Sequence, residues 1–299
     1  MRLPSPLEEV ADERLARAGV RLFLKRDDLI SAEMPGNKCR KLTYNLEAAR
    51  RSGHRVLLTF GGAYSNHIRA TAAAGRAFGF ATIGVIRGEE HEPLNPSLSY
   101  AAGQGMRLAY LDRTTYRAKA EPGVIAALRD RFGAFYLIPE GGSNGLAVRG
   151  CAEIPAEIGA PFDVMCCPCG TGGTLAGIAA GLGPGQRALG FSVLKGGQFL
   201  TGTVAGLQAE AFGAGAGLGS GVGLGSGAGS GNWAIDDRFH FGGFARRRPE
   251  LDGFIGDFRD RHGLTLDWVY VAKMMYGIYT RTAEGSFPPG TDIVAVITG

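Results

Sequence analysis

Three glycine-bearing turns carry residues whose types and spacing could do chemistry. In the first, Lys25-Arg26-Asp27-Asp28 precedes Pro35-Gly36-Asn37-Lys38-Cys39-Arg40-Lys41-Leu42. A glycine just ahead of Asn-Lys lets the backbone bend sharply and puts Lys38 at the start of a helix running on through Tyr44-Asn45-Leu46. The helix dipole disfavours a cation there, which helps keep the amine neutral and nucleophilic, as imine formation requires. The same residues would also suit an ordinary solvated lysine on a polar turn. In the second turn, Gly61-Gly62-Ala63-Tyr64-Ser65-Asn66-His67 follows an apolar run. Two glycines at a strand end, then Ser65 and Asn66 opening a helix, offer backbone N–H groups suited to a carboxylate. Ser65 and Asn66 are equally good N-caps, and His67 alone reads more readily as a capping or stacking residue than as a base.

The third turn is Cys169-Gly170-Thr171-Gly172-Gly173-Thr174, between an apolar run ending at Cys167 and a helical stretch from Leu175. Strand, glycine turn and helix N-terminus together make a cradle of main-chain amides and hydroxyls for a phosphate. No Gly-Lys-Ser/Thr follows, so it is not a Walker loop. It is not GxGxxG either, and no acidic ribose-binding residue stands at the expected distance, which disfavours a dinucleotide. Cys166 and Cys169 have CxxC spacing, but there is no second pair and Pro168 lies between them, so no metal is expected. A cofactor that carries one phosphate and needs a lysine imine is pyridoxal 5'-phosphate (PLP).

The elements that must position these turns alternate along the chain. Arg55–Phe60, Ala81–Ile86, Arg107–Leu111, Ala134–Ile138 and Phe162–Cys167 read as strands. Asn66–Phe78, Ala118–Arg131, Gly145–Ile158 and Leu175–Gly181 read as helices. Such alternation predicts parallel βαβ units in an open α/β sheet, with ligands beyond the carboxyl ends of the strands. From Gly213 to Gly231 a glycine falls at every odd position. That spacing argues against a helix and reads as a low-complexity linker insertion in preference to a mobile lid.

Composition closes off other classes. The 299 residues are 45% hydrophobic and 20% charged, enough apolar surface for a sizeable core. The net charge is only +4, and the one basic run, Arg246-Arg247-Arg248, reads as a solvated corner, so no nucleic-acid partner is expected. No apolar run reaches the ~18 residues of a membrane span. The charged N-terminus lacks the apolar stretch of a signal peptide, so no membrane partner and a cytoplasmic protein are expected. Five cysteines without a secretion signal do not suggest disulfides.

Taken as a set, KRDD…GNKCRKL, GGAYSNHIRATAAA, IPEGGSNGLAVRG, CGTGGTLAGI, DWVYVAKMMYGI and the final VITG resemble the D-cysteine desulfhydrase and 1-aminocyclopropane-1-carboxylate (ACC) deaminase family. These are fold-type-II, tryptophan-synthase-β-like PLP enzymes, and the motifs run in order from about residue 20 to the C-terminus. The resemblance implies an α/β fold of two open, twisted, mostly parallel sheets flanked by helices. The larger PLP-binding domain would comprise residues 1–50 and 140–299, containing the segment 213–231, and the smaller residues 51–139. It implies a homodimer and a small amino-acid substrate. Lys38 matches the lysine that holds the cofactor, Ser65 the active-site serine, and Asn66 a residue contacting the pyridoxal oxygen or the substrate carboxylate. The carboxylate would rest on amides around Ser65, Asn66 and His67. Gly170, Thr171, Gly172, Gly173 and Thr174 match the phosphate loop, Tyr270 a tyrosine near the substrate, and Thr298 a threonine against the pyridine nitrogen.

Two positions depart from the family pattern. ACC deaminases have a glutamate directly after the matching tyrosine, where this chain has Val271, and a second family tyrosine is replaced by Phe244. Without a carboxylate the ring nitrogen stays largely neutral and the electron sink is weaker. The resemblance therefore implies α,β-elimination from D-cysteine, with Lys38 or Ser65 removing the α-proton, ahead of ACC deamination or another lyase or racemase reaction on the same fold. A non-catalytic PLP-binding role is the reading of another class that the same two departures would fit.

Overall fold

A computed structural model of the chain describes residues 2–34, 36–213, 222–223 and 231–298. The reading of segment 213–231 therefore lies almost wholly outside the described residues. Among the described residues the strands are β1 (Leu7–Glu9), β2 (Arg21–Lys25), β3 (Val56–Gly61), β4 (Ala81–Arg87), β5 (Met106–Leu111), β6 (Tyr136–Ile138), β7 (Val164–Cys169), β8 (Arg187–Ser192), β9 (Val222–Gly223), β10 (Trp233–Asp236) and β11 (Asp292–Val296). They form a seven-stranded sheet in the order β1-β2-β11-β7-β8-β10-β9 and a four-stranded sheet in the order β5-β4-β3-β6. Every pair is parallel except β1 with β2. Helices connect the strands, and the apolar runs of β4 and β7 are buried as parallel sheets covered on both faces require.

The helix Asn66–Phe78 has the bounds its sequence predicts. Others differ for local reasons. The stretch from Ala118 becomes helical only at Pro122, a residue pre-set for the first helical turn, and ends at Phe132. Gly145–Ile158 stops as an α-helix at Ala152 and resumes as a single 3-10 turn at Pro155–Glu157, because Pro155 has no N–H to give and its ring clashes with the turn before it. Strand β7 runs two residues past Cys167. The ladder on its β11 side ends at Cys166, so Pro168 sits where that side of the strand is already unpaired.

Two glycines fix how closely the helices under the site pack. Helix Asn37–Arg51 lies on helix Gly145–Ala152, which lies on helix Gly173–Gly181. A Cβ on Gly150 would fall 2.2 Å from the Arg40 carbonyl oxygen, and one on Gly177 would fall 2.5 Å from that of Val148. Any larger residue would push the layers apart, and with them the turns they carry. The carboxyl ends of β2, β11 and β7 share one edge of the larger sheet, as parallel pairing dictates. There the chain turns into Gly170–Thr174 and, past β11, into Thr298.

Candidate active site

Lys38 is the second residue of helix Asn37–Arg51, whose N-cap, Gly36, has φ +71°, a left-handed value that suits glycine. Its half-buried amine donates to Asn37 Oδ1 at 2.9 Å, and Asn37 Nδ2 donates to Thr174 Oγ1 at 2.6 Å. Lysine and glycine turn are thus joined through one asparagine. Burial, followed by the charge of Lys41, pushes the Lys38 amine down to about 7. The causes are loss of water and a second cation, where the helix dipole was the one expected from the residues alone.

That second cation is a site residue the motif reading passed over. Lys41 is 3% exposed, and its Nζ donates to Ser143 Oγ at 3.0 Å and to the Gly141 carbonyl at 3.2 Å. Ser143 Oγ is 2.6 Å from Thr171 Oγ1. A Cβ on Gly173 would lie 2.8 Å from Ser143 Oγ and 3.2 Å from Lys41 Nζ, so the glycine leaves open a space faced by a hydroxyl and an ammonium. Gly173 opens helix Gly173–Gly181, whose dipole favours an anion at that end. A cation, hydroxyls and a helix N-terminus around one small space suit a phosphate group. The signal in the sequence was spacing, since Lys41 follows Lys38 by three residues and shares its side of the helix.

The second turn borders the same space, since a Cβ on Gly142 would meet both the His67 ring and Lys41 Cβ. Ser65 is the N-cap of helix Asn66–Phe78, its Oγ accepting from the Ile68 amide at 3.4 Å. Asn66 is the first residue of that helix. His67 is 1% exposed and faces inward. The Thr59 hydroxyl gives its only proton to the Ile138 carbonyl at 2.8 Å, so it accepts from His67 Nε2–H at 2.7 Å. Burial, then the charges of Lys38 and Lys41, hold the ring well below the usual histidine range, hence neutral. Its ring packs against the backbone of Gly142: a Cβ there would come within 3.2 Å of Nδ1, and the backbone has φ +67°.

Tyr270 is the N-cap of helix Val271–Ala283, its amide donating to Asp267 Oδ2 at 2.8 Å. Its ring reaches the phosphate turn, since a Cβ on Gly170 would be 3.2 Å from Tyr270 Cε1. Burial and the Asp267 carboxylate push the phenol up, so it stays protonated with a proton it can donate. Phe244 lies edge-on to it, centroids 5.8 Å apart. Thr298 is buried two residues past the end of β11, at the sheet edge where β7 runs into the Gly170–Thr174 turn. The structure therefore brings Lys38, His67, Thr171, Gly173, Thr174 and Tyr270 together through Asn37, Lys41, Gly142, Ser143 and Gly170. Ser65 and Thr298 stand at the adjoining strand ends, without a hydrogen bond to that group among those described.

A lysine amine lowered to about 7, joined through Asn37 to a turn faced by Lys41 and hydroxyls, fits PLP on both of that cofactor's demands. Comparison with known proteins agrees. The model of the family described as "Pyridoxal-phosphate dependent enzyme" matches residues 3–299. The chain is 30% identical to a Pyrococcus horikoshii protein provisionally named 1-aminocyclopropane-1-carboxylate deaminase, covering 94% of this chain and 85% of that one. It is 27% identical to D-cysteine desulfhydrase of Klebsiella pneumoniae, covering 99% and 91%. Among solved structures, an ACC deaminase homologue superimposes with a TM-score of 0.82 at 27% identity, covering 100% of this chain and 90% of that one. Amine, cradle and family match coincide over nearly the whole length, and the chain belongs to the pyridoxal-phosphate dependent enzyme family.

Proposed function

We propose that the chain catalyses α,β-elimination from a small amino acid, D-cysteine, which with one water gives pyruvate, ammonia and sulfide. The observation that carries the choice is Val271, which follows Tyr270 and is packed into the core of the larger sheet at 1% exposure. That position offers no carboxylate, and the polar residue buried just past β11 is Thr298. Bound at Lys38 with its phosphate on the Gly170–Thr174 turn, PLP supplies an electron sink for charge developing at the substrate α-carbon. Loss of a thiolate, a good leaving group, asks less of that sink than opening a cyclopropane ring.

The chain's own groups divide the remaining work. Backbone amides of Asn66 and His67, in the first turn of helix Asn66–Phe78, hold the substrate carboxylate, the Ser65 amide being given to the Gly62 carbonyl at 3.0 Å. The Lys38 amine, neutral in a large share of molecules at pH 7, takes the α-proton at Nζ. Lys41 and Ser143 hold the phosphate end, so that the reacting carbon is fixed relative to Nζ. The Tyr270 phenol donates a hydrogen bond to the departing sulfur.

Pyruvate release from D-cysteine and from ACC, assayed side by side, tests the assignment. The expected result is a kcat/KM for D-cysteine at least ~100-fold above that for ACC, the size of step that one missing stabilising contact in the transition state produces. Comparable rates with the two substrates would overturn it in favour of ACC deamination. A visible spectrum that no amino acid perturbs would leave a cofactor-binding protein without turnover.

Lys41 gives a separate prediction. Lys41→Met should weaken PLP binding by ~10- to 100-fold, the value of one charge-assisted hydrogen bond to a phosphate. The check is titration of the cofactor-free protein followed by absorbance. Unchanged affinity would mean that the phosphate does not rest on Lys41.

A further inference from the structure

Outside this constellation lies a buried cation held by backbone alone among the described residues. Lys273 lies three residues after Tyr270 on helix Val271–Ala283 and is 1% exposed. Among the described residues no carboxylate forms an ion pair with it. Its Nζ donates instead to two backbone carbonyls, His240 at 3.0 Å and Gly243 at 2.8 Å. Burial pushes the amine down to about 8, so at pH 7 it is still protonated and the two bonds are charge-assisted.

Those carbonyls are the ones that close two consecutive turns. The Gly243 amide donates to the His240 carbonyl, and the Arg246 amide donates to the Gly243 carbonyl. The segment between them is strained: Phe241 has φ +52° and Ala245 φ +50°, left-handed values that cost a side-chain-bearing residue ~1 kcal/mol or more each. Phe241 is anchored below, edge-on to Tyr276 at 5.0 Å. Phe244 projects from the second turn, 44% exposed, with its ring against Tyr270. Just beyond, Arg247 stacks on Trp268 at 5.2 Å.

We propose that Lys273 is a positioning residue for substrate binding, its ammonium pinning the strained 240–246 turns so that Phe244 stands beside Tyr270 as one wall of the substrate site. The inference rests on the placement of Tyr270 next to the substrate given above. A buried methionine would fill the same volume, but it would release both carbonyls and let the strain relax. The turns would then move while the helix beneath them stayed.

Two readouts test this, one of which needs no substrate. In Lys273→Met, acrylamide quenching of tryptophan fluorescence should rise about twofold, because Arg247 leaves the Trp268 face while Trp233, 2% exposed, contributes little. KM for whichever of D-cysteine or ACC is turned over should rise about tenfold with kcat within about threefold, the signature of lost binding uniform to ground and transition states. Lys273→Arg, which keeps the cation, should restore most of both. Phe244→Ala, at an exposed position, should raise KM similarly with quenching unchanged. Unchanged quenching in Lys273→Met would show that the cation does not hold the turns. Raised quenching with an unchanged KM, or an unchanged KM in Phe244→Ala, would show that the turns are no part of the substrate site. Should Lys273→Met fail to fold, Phe244→Ala and the quenching of Lys273→Arg decide alone: an unchanged KM in the former, or quenching about twofold above wild type in the latter, overturns the proposal. If neither amino acid is turned over, the elimination reading fails while the quenching still decides the clamp.

Discussion

Lys38→Ala is expected to abolish the long-wavelength absorbance of the bound cofactor and to lower pyruvate formation by at least ~10³-fold, in line with removing a nucleophile and a base in one substitution. The geometry explains why one residue carries so much. The Lys38 amine is held by Asn37, which also bonds Thr174, so the nucleophile and the phosphate turn share one support. Its proton affinity also ties it to solvent pH. With the amine pushed down to about 7, the rate at which cofactor-free protein takes up PLP should be flat above that pH. Below it the rate should fall tenfold per unit, because only the neutral amine attacks. In Lys41→Met the break should move to higher pH, since the nearest cation disfavouring protonation is gone. A Lys38→Ala protein with wild-type spectrum and turnover would end the assignment, and a rate that ignores pH between 6 and 8 would remove the neutral-lysine argument (~10-fold expected at pH 6).

How much of this could be read from the residues depended on whether local chemistry or distant packing set each feature. The three turns were legible because glycines at strand ends and a lysine or hydroxyl at a helix start have few other uses. Helix Asn66–Phe78 was legible because Ser65 caps it and Gly79 ends it in a left-handed conformation. The larger sheet was much less so. Strand β2 reads Arg-Leu-Phe-Leu-Lys, and a lysine at its end suggests solvent, yet Lys25 is fully buried. Strand β11 comes from the last residues of the chain and sits between β2 and β7, a partnership over more than 120 residues that no local pattern encodes. The site shows the same divide. Lys38 announces itself through Gly36-Asn37, whereas Lys41 gains its meaning only when Ser143 and Gly173 are folded against it.

The Lys25-Arg26-Asp27-Asp28 run points to the second large effect, on stability. Arg40, two residues after Lys38, makes a two-pronged pair with Asp27, Nε to Oδ2 and Nη2 to Oδ1 both at 2.8 Å, and its Nη1 donates to Glu157 at 2.7 Å. Lys25 bonds Glu157 at 2.6 Å, and Ser5 Oγ bonds Asp27 at 2.7 Å. Two cations and two carboxylates thus balance in a nearly dry pocket that ties the N-terminus of the Lys38 helix to the end of β2. Against its own burial, which works upward, bonds from Arg40 and Lys25 hold the Glu157 carboxyl below the usual carboxylate range. That stabilisation is fully present above the ordinary glutamate pKa and is lost as pH falls through the depressed one. Arg40→Met leaves Asp27 charged, fully buried and supported only by Ser5 among the described side chains. The expected cost is ~3–5 kcal/mol, the usual result of removing one partner of a buried pair. Urea unfolding should show it as a lower midpoint with an unchanged slope. Adding Asp27→Asn to Arg40→Met removes the stranded charge and should recover ~1–3 kcal/mol of the loss, the part due to an unpaired buried charge. If the double variant is no more stable than the single one, the loss comes from packing around Arg40, and the network holds the Lys38 helix by shape instead of charge.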